Sequence, residues 1–517
     1  MEGAHKSHKW LVAATVMTGA MMAALDMSIV NVALPHMRGA LDASVEEIAW
    51  VATGYILSNV IVMPIIAFLS SRFGRKRFFL FSVMLFTVSS MLCGTAWDLP
   101  SMVVFRIIQG IGGGALIPLA QALLRETFPV EEQATAMSLF GLGVILGPAF
   151  GPTLGGWITD NYSWPWIFYI NVPVGIFNAL LIIRFIEDPP YLVREKGSVD
   201  ALGLFLMAAG LGSLQIMLEK GDQKDWFTSD MIRYLAAAAC AGLILFVIRE
   251  LIAKRPAVNL RILKDINFSS GSFLGGMLSL GLFASLFVLP LFLEQLLDYP
   301  AYNAGLALMP RSLAMAFAMP LTARIYPRTG PKLLIALGLL MNAVSFYFLS
   351  RLSLDIGYWD IFFPQFLQGI GFGLIFVALS TAVLSTIEKP LMTAATGLYN
   401  VIRQVFASVG IALAATCVTR GEIRYRAILV EHLTDYNDVT TGVLGRFLSH
   451  VFTSGAGATG TGMEALGLLE RTVGRQAGML AYNHVFFLIA VLFLISIPLA
   501  FAIRDPQVGR ASEMIAE

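Results

Sequence analysis

RIIQGIGGG at residues 106–114 returns as QFLQGIGFG at residues 365–373, so that Gln109-Gly110-Ile111-Gly112 reappears as Gln368-Gly369-Ile370-Gly371. A second set keeps the same order at nearly the same offset: Ala67, Arg72, Gly74 and Lys76 are echoed by Ala323, Arg328, Gly330 and Lys332. Two matched elements in one order imply two homologous halves. Each glycine copy lies in an apolar run of about twenty residues, long enough to cross a hydrocarbon core about 30 Å thick as a helix.

Such runs recur from end to end, at about 11–34, 48–69, 78–97, 101–123, 135–158, 166–186, 201–219, 231–251, 268–293, 303–323, 331–350, 360–385, 396–419 and 481–503. The expectation is an all-α polytopic membrane protein of fourteen spans. Residues 1–190 form one six-helix half, 191–260 two inserted helices, and 261–517 the second half. Of the 517 residues 57% are hydrophobic and 13% charged, against about 25% charged in soluble proteins. The partner implied for most of this surface is the lipid bilayer. The first run is too long for a signal-peptide core and is followed at once by others, so it is read as the first span.

The net charge of +1 points to no nucleic acid, and the informative quantity is where the charges sit. Lys6, Lys9, Arg72, Arg75, Lys76, Arg77, Arg125, Arg194, Lys196, Lys254, Arg255, Arg261, Lys264, Arg324, Arg328, Lys332, Lys389 and Arg504 share one side; Arg38, Lys220, Lys224, Arg233 and Arg351 lie opposite. The positive-inside rule makes the rich side cytoplasmic, with both termini there. Only the stretch from Arg420 to Leu480 breaks the run of short connections, and this topology places it outside. It opens with a charged helical pattern (Glu422, Arg424, Arg426, Glu431) and passes through a glycine-rich segment at 453–462. A solvated spacer and a partner-docking element are both open readings for it.

Gly143, Gly147, Gly151 and Gly155 are four apart, with Pro148 and Pro152 directly after two of them and Gly156 at the end. A stripe without side chains lets a neighbouring helix approach closely, and each proline removes a backbone hydrogen bond. Glycines alone fit ordinary helix packing; the full pattern GxxxGPxxGPxxGG is more specific. It resembles the antiporter motif of drug:proton exporters of the major facilitator superfamily, which in that family also lies in the fifth span. The resemblance runs along almost the whole chain and points to the fourteen-span EmrB/QacA type. LDMSIVNVALP at 25–35 looks like its first-span signature, Arg106, Gln109, Gly110 and Gly112 match its RxxQGxG motif, and WPWIFYINVPVG at 164–175 is similar to its entry to the sixth span. SLQIMLEKGDQKDWF at 213–227, with the long connection before the last span, resembles the EmrB branch. In the family's cytoplasmic gating loop Arg72, Gly74 and Arg75 are kept, but Ala67 replaces the first glycine and Ser71 the aspartate, which leaves open what group makes that contact.

Asp26 lies some fifteen residues into the first span, where an uncompensated carboxylate is expensive and an acid faces a cavity or a partner. Either it loads and releases a proton, or it accepts structural hydrogen bonds from Ser28, Asn31 or a nearby helix. Arg106, at the start of the fourth span, is the matching cation, and the resemblance implies a part for it in proton transfer. Arg403, beside Asn400 and Gln404, is a second such cation, with snorkelling to the interface as its alternative.

Met21, Trp50, Tyr55, Asn59, Gln109, Asn400 and Arg403 are the expected substrate-cavity residues. Cys93, Cys240 and Cys417 sit in apolar runs with neither CxxC nor Cys/His spacing, so no metal and no disulfide is expected. No Walker loop, HExxH or βαβ glycine motif occurs, which argues against an enzyme. The absence of any cytoplasmic domain argues against ATP as the energy source. The resemblance implies a cofactor-free exporter in the inner (cytoplasmic) membrane, driven by the proton motive force. It would exchange protons for small drug-like molecules and work with a periplasmic membrane-fusion adaptor and an outer-membrane channel. A metabolite symporter or facilitator and a non-transporting scaffold or sensor are the alternatives; the span-five stripe weighs against the first, Asp26 and Arg106 against the second.

Overall fold

The computed structural model describes residues 2–189, 200–253, 256, 258–433, 438–453 and 461–504. The first six spans are α1 (Glu2–Ala40), α2 (Trp50–Val62, prolonged by Met63–Ile65 and Ile66–Phe73), α3 (Arg75–Gly94), α4 (Leu99–Thr127), α5 (Gln133–Asn161) and α6 (Asn171–Phe185). The inserted pair is α7 (Ala201–Lys220) and α8 (Asp230–Ile252). Then come α9 (Ile266–Leu291), one rod from Ala301 to Leu349, α12 (Tyr358–Val383), α13 (Met392–Glu431) and α14 (Thr461–Ala500).

Thirteen described helices are long and apolar enough to cross a membrane, one fewer than the fourteen runs in the sequence. The rod accounts for the difference. At about 1.5 Å per residue its 49 residues measure over twice a hydrocarbon core. Gly330, at φ 70° and ψ 174°, breaks it into α10 (301–329) and α11 (331–349). Glycine adopts such a φ without the steric cost an L side chain meets. Gly74, the counterpart of Gly330 in the repeat, separates α2 from α3 with φ 89°.

The glycine repeat has a packing cause. A β-carbon on Gly110 would lie 2.5 Å from the carbonyl oxygen of Tyr55, and one on Gly369 would lie 2.2 Å from that of Arg311. Thus α4 crosses α2 as α12 crosses α10, and Tyr55 and Arg311 hold equivalent places. Likewise α5 packs on α1 and α13 on α9.

The halves meet at the end carrying the basic residues. There Asn400 of α13 donates its amide to Gln121 Oε1 of α4 at 2.9 Å, and Phe140 of α5 stacks on Phe376 of α12 with centroids 6.3 Å apart. A β-carbon on Gly397 of α13 would sit 2.7 Å from the Met63 carbonyl oxygen.

The inserted pair is bound to both halves at the opposite, far end. Helix α7 packs on α2 and α13. Its Glu219 accepts from Thr53, Lys220 Nζ donates to the Glu46 carbonyl at 3.3 Å, and Lys224 pairs with the Glu46 carboxylate at 3.1 Å. In the turn that follows, Trp226 Nε1 donates to Thr416 Oγ1 at 2.8 Å, and Thr419 Oγ1 donates to Asp222 at 3.2 Å.

The stretch from Arg420 to Leu480, read from sequence as a long connection that opens as helix, is mostly helix among its described residues. Helix α13 runs on to Glu431, α14 begins at Thr461, and a cross-helix, Asp438–Thr453, packs on α14. Arg426 and Glu470 pair across the two extensions. After Gly421, the segment EIRYRAILVE contains no glycine or proline, so nothing stops α13 where its apolar run ends. Residues 454–460 of the glycine-rich segment lie outside the described residues.

Candidate functional site

Asp26 is buried at 0% exposure and Arg106 at 1%, and the two form an ion pair with Nη1 2.7 Å from Oδ2. The other carboxylate oxygen accepts from Gln109 Nε2 and Asn171 Nδ2, each at 2.9 Å. Arg106 also donates through Nη1 to Gln109 Oε1 at 2.7 Å and through Nε to the Val51 carbonyl at 3.0 Å, and its Cζ lies 4.3 Å from the Tyr55 ring centroid. Asn171 reaches Ser90 Oγ at 3.1 Å, which in turn donates to the Phe168 carbonyl at 2.9 Å. One carboxylate thus ties α1 to α4 and α6, with α2 and α3 closing the shell.

Local sequence explains the placement. Asp98 caps α4 by accepting from the Ser101 N–H at 2.9 Å, which fixes where Arg106 and Gln109 fall two and three turns later. The backbone approach at Gly110 holds α4 against Tyr55. A buried ion pair is costly to form and more costly to break, because the remaining charge is left unpaired. A proton arriving at Asp26 removes the attraction to Arg106 and turns an acceptor into a donor. The charge state of Asp26 is therefore linked to the fit of α1 against α4.

The glycine stripe is seated beside this pair. β-carbons on Gly147, Gly151 and Gly155 would lie 2.5 Å from the Ala24 carbonyl carbon, 2.6 Å from Ser28 Oγ and 2.7 Å from Ile29 Cγ1. Gly143 and Gly156 have room, with nearest atoms at 3.7 and 3.9 Å. Pro152 follows Gly151 along α5, and Pro148 lies within the same helix.

The residues expected in a substrate cavity are spread over several contacts. Tyr55 and Gln109 belong to the buried ion-pair shell, and Asn59 donates to the Tyr55 carbonyl at 3.2 Å. Asn400 bridges the halves. Trp50 lies under Lys220 Nζ, 5.9 Å from the ring centroid, and Met21 is exposed on α1. Arg403 does not snorkel: its Nε donates to Ser279 Oγ at 3.1 Å, and its guanidinium lies 5.5 Å from the ring centroids of both Phe376 and Tyr399. In the basic loop Arg75 pairs with Glu126 at the end of α4, both buried, while Arg72 is exposed. The Lys76 N–H donates to Asp188 Oδ1 at 2.9 Å, and Ser71 donates to the Phe68 carbonyl at 2.9 Å.

Sequence reasoning missed Asn171, Ser90 and Arg311. Arg311 carried a plain signal, a charge within LALMPRSLAM. Among the described residues no group of His, Cys, Asp and Glu could hold a metal ion.

Residues 16–411 match the family model described as Major Facilitator Superfamily. The chain belongs to the major facilitator superfamily. This superfamily member is 34% identical to the fatty acid resistance protein FarB of Neisseria gonorrhoeae, over 94% of each chain. It is 34% identical to the multidrug export protein EmrB of Haemophilus influenzae, over 92% of this chain and 91% of that one. To EmrB of Escherichia coli it is 32% identical, over 94% and 93%. The crystal structure of the human organic anion transporter MFSD10 shares the fold, with a TM-score of 0.58 at 15% identity over 94% of this chain and 99% of that one. As a major facilitator protein the chain is a multi-pass membrane transporter and not an enzyme.

Proposed function

We propose that this transporter exports hydrophobic or amphipathic compounds across the inner membrane in exchange for protons, by alternating access. The observation that carries the reading is the buried Asp26–Arg106 pair set against the glycine seam of α1 and α5. An intramembrane acid with one cationic partner couples a proton to helix fit, and a seam without side chains lets those helices shift. The similarity to proteins named as multidrug exporters supports the substrate class and the direction. By the positive-inside rule the basic end is cytoplasmic, so both termini are inside and the closed contact of Asn400 with Gln121 is the inner gate. Arg75 with Glu126, and Lys76 with Asp188, brace the loop at that gate in place of the aspartate that Ser71 lacks.

The helical extensions of α13 and α14 then stand in the periplasm and supply a rigid post for a membrane-fusion adaptor, which continues to an outer-membrane channel. No cofactor is used. Dye transport by energised inverted vesicles, with and without an imposed pH gradient, tests the coupling; transport indifferent to the gradient sinks it. Removal of residues 438–460 should abolish pull-down of the adaptor while substrate binding persists, and unchanged pull-down would leave the extensions without that role.

A further inference from the structure

The second half repeats the packing of the first but not its charges. Arg311 stands where the first half has Tyr55, and Gln365 where it has Arg106. Gly147 approaches Ala24 on α1 as Gly410 approaches Leu280 on α9, which puts Leu282 in the place of Asp26. Helix α9 contains no acidic residue at all.

Two arginines are nevertheless held there. Arg311, 4% exposed, donates through Nη1 to Ser285 Oγ at 3.3 Å, and Arg403 donates to Ser279 Oγ at 3.1 Å. Both serines belong to α9, about 9 Å apart along its axis. Among the described residues neither guanidinium forms an ion pair, in contrast to Arg106. A guanidinium does not shed its proton, and neither a serine hydroxyl nor aromatic faces worth about 0.5–2 kcal/mol offset the cost of a full charge at this depth.

Position says what the charges serve. Arg403 is one turn beyond Asn400, which bonds across to Gln121, and it rests on Phe376, which stacks on Phe140 of the other half. It therefore lies beside the closed contact between the halves, on the side away from the basic end. Arg311 is ten residues into α10 from the far end and Arg403 eleven into α13 from the basic end, so both sit near mid-depth, about 15 Å from either surface.

We propose that Arg403, with Arg311 behind it, receives the carboxylate of an amphipathic anion whose apolar body lies against Phe140, Phe376 and Met319. The acid of the transported compound supplies in the second half the negative charge that Asp26 supplies in the first. This deepens the export reading and rests on it for the direction of movement; binding itself does not.

The test compares parinaric acid with its methyl ester by fluorescence, using the purified full chain in lipid nanodiscs and empty nanodiscs as control. The acid should bind at least about tenfold more tightly than the ester. Arg403→Gln should bring the acid to the ester's affinity without moving the ester, Arg311→Gln should weaken the acid by a smaller factor, and Arg403→Lys should keep part of the preference. Equal binding of acid and ester by the unaltered protein, or an undiminished preference in Arg403→Gln, overturns the proposal. A variant that loses the ester as well has lost its fold, and the acid-to-ester ratio of the unaltered protein then decides alone. Gradient-driven transport of the neutral dye Nile red by the unaltered protein separates the two readings. Dye transport without acid preference sinks only this inference; acid preference without dye transport sinks only the export reading.

Discussion

Replacing Asp26 by asparagine keeps the shape of the side chain and removes its charge, and the geometry sets the cost. Gln109 and Asn171 both donate to Oδ1, so the amide oxygen of the variant must stay there. Its NH2 group is then aimed at Arg106 Nη1, a donor 2.7 Å from the position it fills. One charge-assisted bond is lost, about 1.5–3 kcal/mol, and a cation 1% exposed is left without its partner. The expected destabilisation is about 3–5 kcal/mol.

Adding Arg106→Gln removes the stranded charge. The double variant should be more stable than the sum of the single changes allows, with an interaction energy of about 2 kcal/mol or more. Reversible unfolding in mixed detergent micelles measures this cycle, and pH-gradient-driven efflux is assayed on the same proteins. Both the single and the double variant should lack gradient-driven efflux, since neither keeps the carboxylate within the first span, while Asp26→Glu keeps part of it. An interaction energy near zero would remove the ion pair as the stabilising unit. Full gradient-driven efflux by Asp26→Asn would refute the coupling role outright.

Gly147→Leu should abolish transport, because even a β-carbon there lies 2.5 Å from the backbone of Ala24; retained efflux would show that α5 does not need its close seat on α1. Gly397→Leu should open the basic end by forcing α13 off Met63, seen as faster alkylation of a cysteine placed at Gln121; an unchanged rate would mean that this contact does not hold the gate. In a background free of Cys93, Cys240 and Cys417, a cysteine at Gly445 should react with an impermeant reagent from outside and one at Lys264 only after permeabilisation. The reverse pattern would overturn the orientation.

The spans were legible because water rejects every long apolar run, and the halves because helices that cross at backbone distance need glycine at the same register twice. The pairing of Asp26 with Arg106 was legible for a similar reason: hydrocarbon leaves an acid few choices. Its remaining ligands were not. Gln109 and Asn171, with Ser90 behind Asn171, have side chains that serve equally well in many places, and only the assembled helices show which partner each reaches. Gly330 was legible as the counterpart of Gly74, in the short basic turn between the runs at 303–323 and 331–350. The helical start of the long connection was legible in its charge pattern, but the extension of α14 and the cross-helix were not, because a hydropathy run ends where the lipid ends, whereas a helix ends only where its backbone is interrupted. Arg311 was overlooked, although the cost of a charge in a span marks it as firmly as it marks Asp26.

The inserted pair makes an internally symmetric transporter lopsided toward its lipid. The halves face each other along two lateral seams, one where α2 meets α13 and one where α5 meets α10. Helix α7 lies over the first, with Leu57 and Ile61 of α2 beside its Gly212, and α8 forms an outer layer whose Tyr234, Ile244 and Ile252 are exposed. Among the described residues nothing covers the second. The two seams therefore differ in what separates them from lipid, an asymmetry that the internal repeat alone would not produce.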